Sequence, residues 1–198
     1  MLSERELIEM ELSAAKRENI DWGIYDSQPI ISASAAITRN QLIFFQNSVG
    51  TVGSDKSRTN MKNAGMMPSP ESLLVLEAVC EIRNRDGICF QLDPSGKTYP
   101  LNLISATGWF EIKREPSVFY EGHLIELFPQ ATAGGWLGAS QDELKTMRGT
   151  IRFKRPLILT TAVHFEITCT FDCPARLFGI SSMTYMYWFL KGIKRRSP

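Results

Sequence analysis

Val163, Phe165, Ile167, Cys169 and Phe171 alternate with His164, Glu166, Thr168 and Thr170, the cleanest period of two along the chain. Successive side chains of a strand point to opposite faces, so this pattern predicts a half-buried strand with the apolar set inward. Leu74–Arg83 follows the same rule, with Leu74, Leu76, Ala78, Cys80 and Ile82 on one face and Glu77, Glu81 and Arg83 on the other. The turn Asn84-Arg85-Asp86-Gly87 then predicts a hairpin returning through Ile88, Phe90 and Leu92. Asn40–Gln46 is a short apolar strand, followed by a Gly/Ser/Lys/Asn-rich loop over residues 47–70. Weaker strands are expected at 98–104, 108–113 and 118–127. Thr150–Leu159 is a strand carrying Pro156, which removes a ladder donor and so predicts a bulge or a sheet edge.

Thr184–Leu190 (TYMYWFL) is apolar on both faces: Tyr185, Tyr187 and Phe189 on one, Met186, Trp188 and Leu190 on the other. A strand of that kind needs cover outside the sandwich as well as within it. Two helices interrupt the strand grammar. Residues 1–19 open with a capping box, Ser3 and Glu6, and carry a narrow stripe of Leu7, Ile8, Leu12 and Ala15. A second box, Ser140 with Glu143, predicts a short helix running to about Arg148 after the Gly/Ala/Thr loop Gln130–Gly138. Residues 20–36 are expected as an irregular connector.

About eight or nine strands with so little helix fit a mostly β fold, an antiparallel two-sheet β-sandwich or a barrel. The division expected is an N-terminal amphipathic helical arm over residues 1–24 and a single β domain over 25–198. Periodicity leaves immunoglobulin-like, jelly-roll and up-and-down arrangements open.

Charge adds little to this picture. Lysine and arginine number 22 against 21 aspartates and glutamates, so no global field points to nucleic acid or an acidic substrate. The charged N-terminus lacks the apolar core of a secretory leader, and no apolar run approaches the ~20 residues of a membrane span. Folding in a cytosol is expected, with the four cysteines, Cys80, Cys89, Cys169 and Cys173, reduced and mostly buried.

Candidate chemistry is sparse. Gly96-Lys97-Thr98 lacks the earlier glycine of a phosphate loop, since Gln91 stands there, and a strand follows where a helix is needed. The two histidines, His123 and His164, form no metal motif, and no CxxC occurs, so neither a metal nor a cofactor is expected. No nucleophile elbow is present. Glu77 and Glu81 read as a solvated strand face. Lys191, Lys194, Arg195 and Arg196 form a basic cluster after the aromatic strand, either a solvated tail or a contact for nucleic-acid phosphates or lipid headgroups.

Several segments together resemble capsid and virion proteins of tailless, in part lipid-containing, bacteriophages. These are Leu42–Gln46 with the polar loop after it, Thr59-Asn60-Met61, and Ala64–Pro68 running into Leu73–Ile82. They continue with Gly149–Leu159, Phe165–Phe171 and the closing strand into Leu190–Arg195. The resemblance covers most of residues 25–195 as a pattern of spacing and residue type. It implies a jelly roll that assembles with copies of itself and other virion proteins, with an arm reaching a neighbour or the inner shell. It also implies location in the virion after synthesis in a host cytoplasm, and no catalytic residues. The subunit contacts expected are Leu7, Ile8, Leu12, Tyr185, Tyr187 and Phe189. The basic C-terminus would face genome or membrane. Two other classes compete: a carbohydrate- or receptor-binding sandwich with Trp109, Tyr120 and Trp136 as a stacking platform, and an enzyme in which His123 or His164 meets a carboxylate in a cleft.

Overall fold

Alternation at Phe165–Phe171 produces the strand expected: Phe165, Ile167, Cys169 and Phe171 are buried, and Thr170 is exposed. The computed structural model describes residues 18–31, 41–51, 55–84, 108–128, 146–171 and 184–196. In these, β1 (Glu18–Ile31), β2 (Gln41–Phe44), β3 (Glu71–Asn84), β4 (Gly108–Arg114), β5 (Ser117–His123), β6 (Thr146–Leu159), β7 (Phe165–Phe171) and β8 (Thr184–Arg196) form two sheets. The first sheet has the order β1-β8-β3-β6 and the second β2-β7-β4-β5, with every neighbouring pair antiparallel. The chain is the mostly β, two-sheet antiparallel sandwich that its alternation predicts.

The pairing is nested. β1 lies beside β8, β2 beside β7, β3 beside β6 and β4 beside β5, as though one long hairpin with its tip at β4–β5 had been rolled up. Between the sheets the fully buried Trp188 meets Phe110, ring centroids 5.2 Å apart, and on the second sheet's own side of the core Phe45 meets Phe165 at 5.4 Å. Aromatic side chains bring the largest apolar area into such a core. Cys80 and Cys169 belong to it as buried free thiols. Burial pushes the Cys169 thiol up to about 12, and the Cys80 thiol is raised as well by the same cause.

Four expectations are corrected. First, residues 20–31 are not an irregular connector. They belong to the long edge strand β1, so the arm cannot extend to residue 24. Gly23, Asp26 and Pro29 are poor strand formers, and a buried aspartate stands between the inward Ile24 and Ile30. An edge strand tolerates the proline, and the register slips between Pro29 and Ile31.

Second, the faces of β3 invert half-way. Val75 pairs with Leu157 and Glu77 with Arg152, so residues 153–156 bow out opposite the single Leu76. Leu73 and Val75 face the core before this bulge and Ala78, Cys80 and Ile82 after it, while Leu76 is pushed outward, 42% exposed. Pro156 therefore lies both at a bulge and on an edge strand, as its missing donor requires. The neighbouring β8 comes so close here that a Cβ on Gly192 would lie 1.9 Å from the Leu74 carbonyl oxygen.

Third, both edges of β3 are taken, by β6 and β8, which leaves no edge for the hairpin partner expected at Ile88–Leu92; that segment lies outside the described residues. Fourth, β6 begins at Thr146, where the helix ending near Arg148 was expected. The candidate at 118–127 divides into β5 and a helical turn, α1 (Leu124–Leu127), which buries Leu124 and Leu127 at spacing i, i+3. Residues 1–17, 98–104 and 140–145 lie outside the described residues.

One end of the sandwich is stitched shut by main-chain bonds. Phe45 takes a left-handed conformation (φ 69°), and its carbonyl accepts the Gly65 N–H at 2.6 Å. The Gly65 carbonyl in turn accepts the Phe165 N–H at 2.8 Å, and the His164 carbonyl accepts the Glu115 N–H at 2.9 Å. The buried Asp26 carboxylate accepts the Phe45 N–H at 2.5 Å and so ties β1 to this corner. The Asn60 amide bridges β1 through the Tyr25 N–H and the Gly23 carbonyl, both at 2.8 Å. The polar connection after β2 is thus held against the first sheet.

Candidate interaction surface

Alternation along β8 places Met186, Trp188 and Leu190 in the core and Tyr185, Tyr187 and Phe189 on the outer face of the first sheet. Tyr185 is buried there by its own chain. Arg58 stands over its ring at 5.2 Å and donates to its hydroxyl at 3.0 Å. Tyr187 and Phe189 stack with centroids 6.2 Å apart and remain half-buried, and Tyr25 from β1 joins them at 5.9 Å from Phe189. The Arg83 guanidinium lies 5.2 Å from the Tyr187 ring and 5.9 Å from that of Phe189, within cation–π range of both.

Beneath Arg83 lies Glu81, only 6% exposed. Its carboxylate accepts from Arg83 Nε at 2.7 Å and from a second guanidinium N–H, and Arg148 Nε approaches its other oxygen at 3.5 Å. Burial makes an isolated carboxylate costly, and the two guanidinium groups offset that cost. Glu77, which shares this face, lies 3.7 Å from Lys191 Nζ. Both carboxylates of the expected solvated face are therefore paired.

Toward the bulge the face opens into a groove of about 660 Å³ that crosses all four strands. Its lining includes Asp21, Trp22, Leu76, Arg152, Phe153 and Lys191. Trp22 and Leu76 are among the most exposed large apolar side chains of the described residues, at 45% and 42%.

The basic cluster does not form a solvated tail. β8 runs on to Arg196 and is flanked there by both β1 and β3. Lys194 is 4% exposed, lies 2.7 Å from the buried Glu71 carboxylate and places its ammonium 4.8 Å from the Trp22 ring centroid. Arg195 is likewise buried, and Lys191 is held by Glu77. The Arg196 side chain and Leu7, Ile8 and Leu12 lie outside the described residues. A phosphate-facing patch built on Lys194 and Arg195 is thereby corrected: both side chains are used inside the fold.

The second sheet presents a different outer face. Lys113 Nζ bridges Glu111 at 2.9 Å and Glu166 at 3.6 Å, and Glu166 also accepts from the Gln46 amide at 2.8 Å. The Glu111 contact raises the Lys113 pKa above its usual value. Trp109 lies on this face, edge-on to His123 with centroids 4.6 Å apart. Tyr120 pairs with Ile112 and stacks on Phe110, on the opposite side of the β4–β5 hairpin. Trp109 and Tyr120 therefore share no platform, and Trp136 lies outside the described residues. His164 Nδ1 is 3.5 Å from Glu115, whose side chain is mostly exposed, and its Nε2 faces Gly65, where a Cβ would come within 2.1 Å. The imidazole is packed against main chain and is not turned toward a cleft. Among the described residues no group of three or more His, Cys, Asp or Glu is placed to hold a metal ion, and no helix is long and apolar enough to cross a membrane.

Sequence reasoning missed Tyr25, Arg58 and Arg83 as members of the aromatic face, and Trp22 as the ring beneath Lys194. Arg83 alone was legible, as an outward position on β3. Against known proteins the comparison is short. No family model and no curated protein matches the chain.

Proposed function

We propose that this chain is a structural subunit of a viral shell, assembling with copies of itself through the outer face of its first sheet. The observation that carries this reading is the difference between the two outer faces: that of the second sheet is crossed by ion pairs with Ile43 and Val118 exposed singly beside them, whereas that of the first stacks Tyr25, Tyr187 and Phe189, partly open to solvent, with Leu76 exposed at the bulge. A contiguous apolar surface of that kind marks an interaction site. The nested pairing of β1–β8, β2–β7, β3–β6 and β4–β5 supports reading the sandwich as a jelly roll, an arrangement that recurs in capsid subunits. Tyr185 drops out of the expected contact set because Arg58 already covers it. Tyr187 and Phe189 stay in it. Each contact should bury on the order of 1,000 Å² or more.

Negative-stain microscopy of the purified full chain over a range of concentrations tests the reading. Rings or closed shells are expected. Isolated particles of single-chain size at every concentration would overturn it.

A further inference from the structure

We infer that the outer face of the first sheet packs on the outer face of the second sheet of the next copy, a head-to-tail contact. The inference rests on the self-assembly reading above and names the surface that the aromatic face meets. Strand registers place Ile43, Thr168, Glu111 and Glu121 in one row across all four strands of the second sheet, with Glu166, Lys113 and Val118 in the row beside it. Three carboxylates there stand against one ammonium. Lys113 is shared between Glu111 and Glu166, whereas Glu121 lies directly across from Glu111 with no cation beside it among the described residues. Like charges directly opposite on a sheet are unfavourable. Ile43 and Val118, 38% and 46% exposed, stand on the two edge strands that bound this acidic patch.

The first sheet carries the opposite surplus. Glu81 is shared by Arg83 and Arg148, and Glu77 lies beside Lys191. Phe153 turns inward onto Phe119 and Tyr120, so Arg152 and Lys154 on either side of it point outward. Both are exposed and have no carboxylate beside them among the described residues. With Asp21 at the far edge included, five cations stand against three acids on this face. Two first-sheet faces would bring like surpluses together, whereas the first face on the second cancels them. Complementary potentials of this kind also fix which surfaces meet. Ile43 and Val118 then supply apolar cover for the stacked Tyr187 and Phe189 and for the exposed Leu76. Seven residues by four strands make a flat footprint of about 23 by 19 Å. With the side chains of both partners counted, such a contact buries on the order of 1,000 Å², the scale of a specific interface. Because it uses different surfaces on its two partners, every copy keeps one half open to continue the series into a ring or shell. An added carboxylate at Thr170, one row further along the second sheet, increases the negative surplus and leaves the contact standing.

The test is sedimentation velocity of two full-chain variants, alone and mixed. Phe189→Asp blocks the first face. Val118→Lys with Glu121→Lys reverses the second face at two exposed positions outside the core. Each variant alone should associate at least about tenfold more weakly than the wild type, because a mismatched charge now meets the partner surface. An equimolar mixture should restore association, as pairs, since the intact first face of one variant still meets the intact second face of the other. Multimers of the second-face variant that match the wild type, or a mixture without pairs, overturn the inference. Charge reversal between molecules gives an independent check should Phe189→Asp fail to fold. Arg152→Glu with Lys154→Glu should stay single alone and form multimers when mixed with the Val118→Lys, Glu121→Lys variant; no gain on mixing overturns the contact. The two readings fail separately. A wild type that stays single at every concentration removes self-assembly, whereas a wild type that assembles while the mixtures stay single removes only the head-to-tail contact.

Discussion

The outer faces of the two sheets solve the same problem in opposite ways. On the second sheet, Glu111, Lys113, Glu166 and the buried Thr168 form a chain of polar contacts, with Ile43 and Val118 exposed beside it. On the first, Tyr187 and Phe189 lie under Arg83 with Tyr25 beside Phe189, and the bulge nearby opens a groove. The buried charges follow the same division. Asp26, Glu71, Glu81, Lys194 and Arg195, the buried charged side chains of the described residues, all belong to β1, β3 or β8. Desolvated charges are costly unless paired, and here they lie on both sides of the first sheet, Glu81 outward and Asp26 inward. The lesson is that the core specifies the sandwich, whereas the buried charges gather in one of its two sheets.

The largest effect should come from what both faces share. Trp188→Ala removes the centre of the inter-sheet core, and a cost of about 3–5 kcal/mol is expected from lost burial and the cavity left behind. Denaturant titration followed by circular dichroism should show both sheets lost in one early transition. Separate transitions would mean the two faces do not stand on one core.

Close behind comes the buried pair at the groove end. Glu71→Leu leaves the Lys194 ammonium where it is 4% exposed, at an expected cost of about 3 kcal/mol. Adding Lys194→Met should recover most of it, because an apolar pair replaces the ionic one. Equal instability of the single and double variants would show that charge is not the issue.

Asp26 predicts a pH dependence at the point where β1 is tied to the corner after β2. Burial, opposed in part by the Phe45 N–H, raises its carboxyl from 3.8 to about 6. Between those values the folded chain binds more protons than the unfolded chain, so raising the pH favours unfolding. The contribution is fully present at low pH and is lost as pH rises through about 6. The wild type should lose about 3 kcal/mol relative to Asp26→Asn across that window. A difference between the two proteins that stays flat with pH would remove the burial argument.

The smallest pair of effects compares the faces directly. Arg83→Ala strips the cover from Tyr187 and Phe189 and leaves Glu81 with Arg148 alone, for an expected loss of about 1–2 kcal/mol. Lys113→Ala breaks a half-exposed ladder and should cost less than about 1 kcal/mol. Thermal unfolding that ranks them in the reverse order would undo the contrast.

Much of this division was legible in the residues. The alternation of Phe165–Phe171 and of Tyr185–Leu190 needs only the two-residue period, and both strands lie as that period requires. β1 was hidden because its inward face carries the buried Asp26 and its length is interrupted by Gly23 and Pro29, which together erase the period of two. The inversion of β3 was hidden as well. A bulge leaves no mark on the strand that carries it when the cause, Pro156 and Gly192, sits on its neighbours. The basic cluster misled for a related reason: Lys194 finds its partner in Glu71, 123 positions away in the chain, and no local pattern announces that pairing. Arg58 over Tyr185 is equally non-local.

Sedimentation velocity of the wild type beside Phe189→Asp and Thr170→Asp, one charge on each outer face, tests the central claim most directly. Arg83 stands ready to pair with the new carboxylate at position 189, so that variant should stay folded. The account predicts concentration-dependent multimers for the wild type and Thr170→Asp, and a folded monomer for Phe189→Asp. Three identical profiles would contradict it.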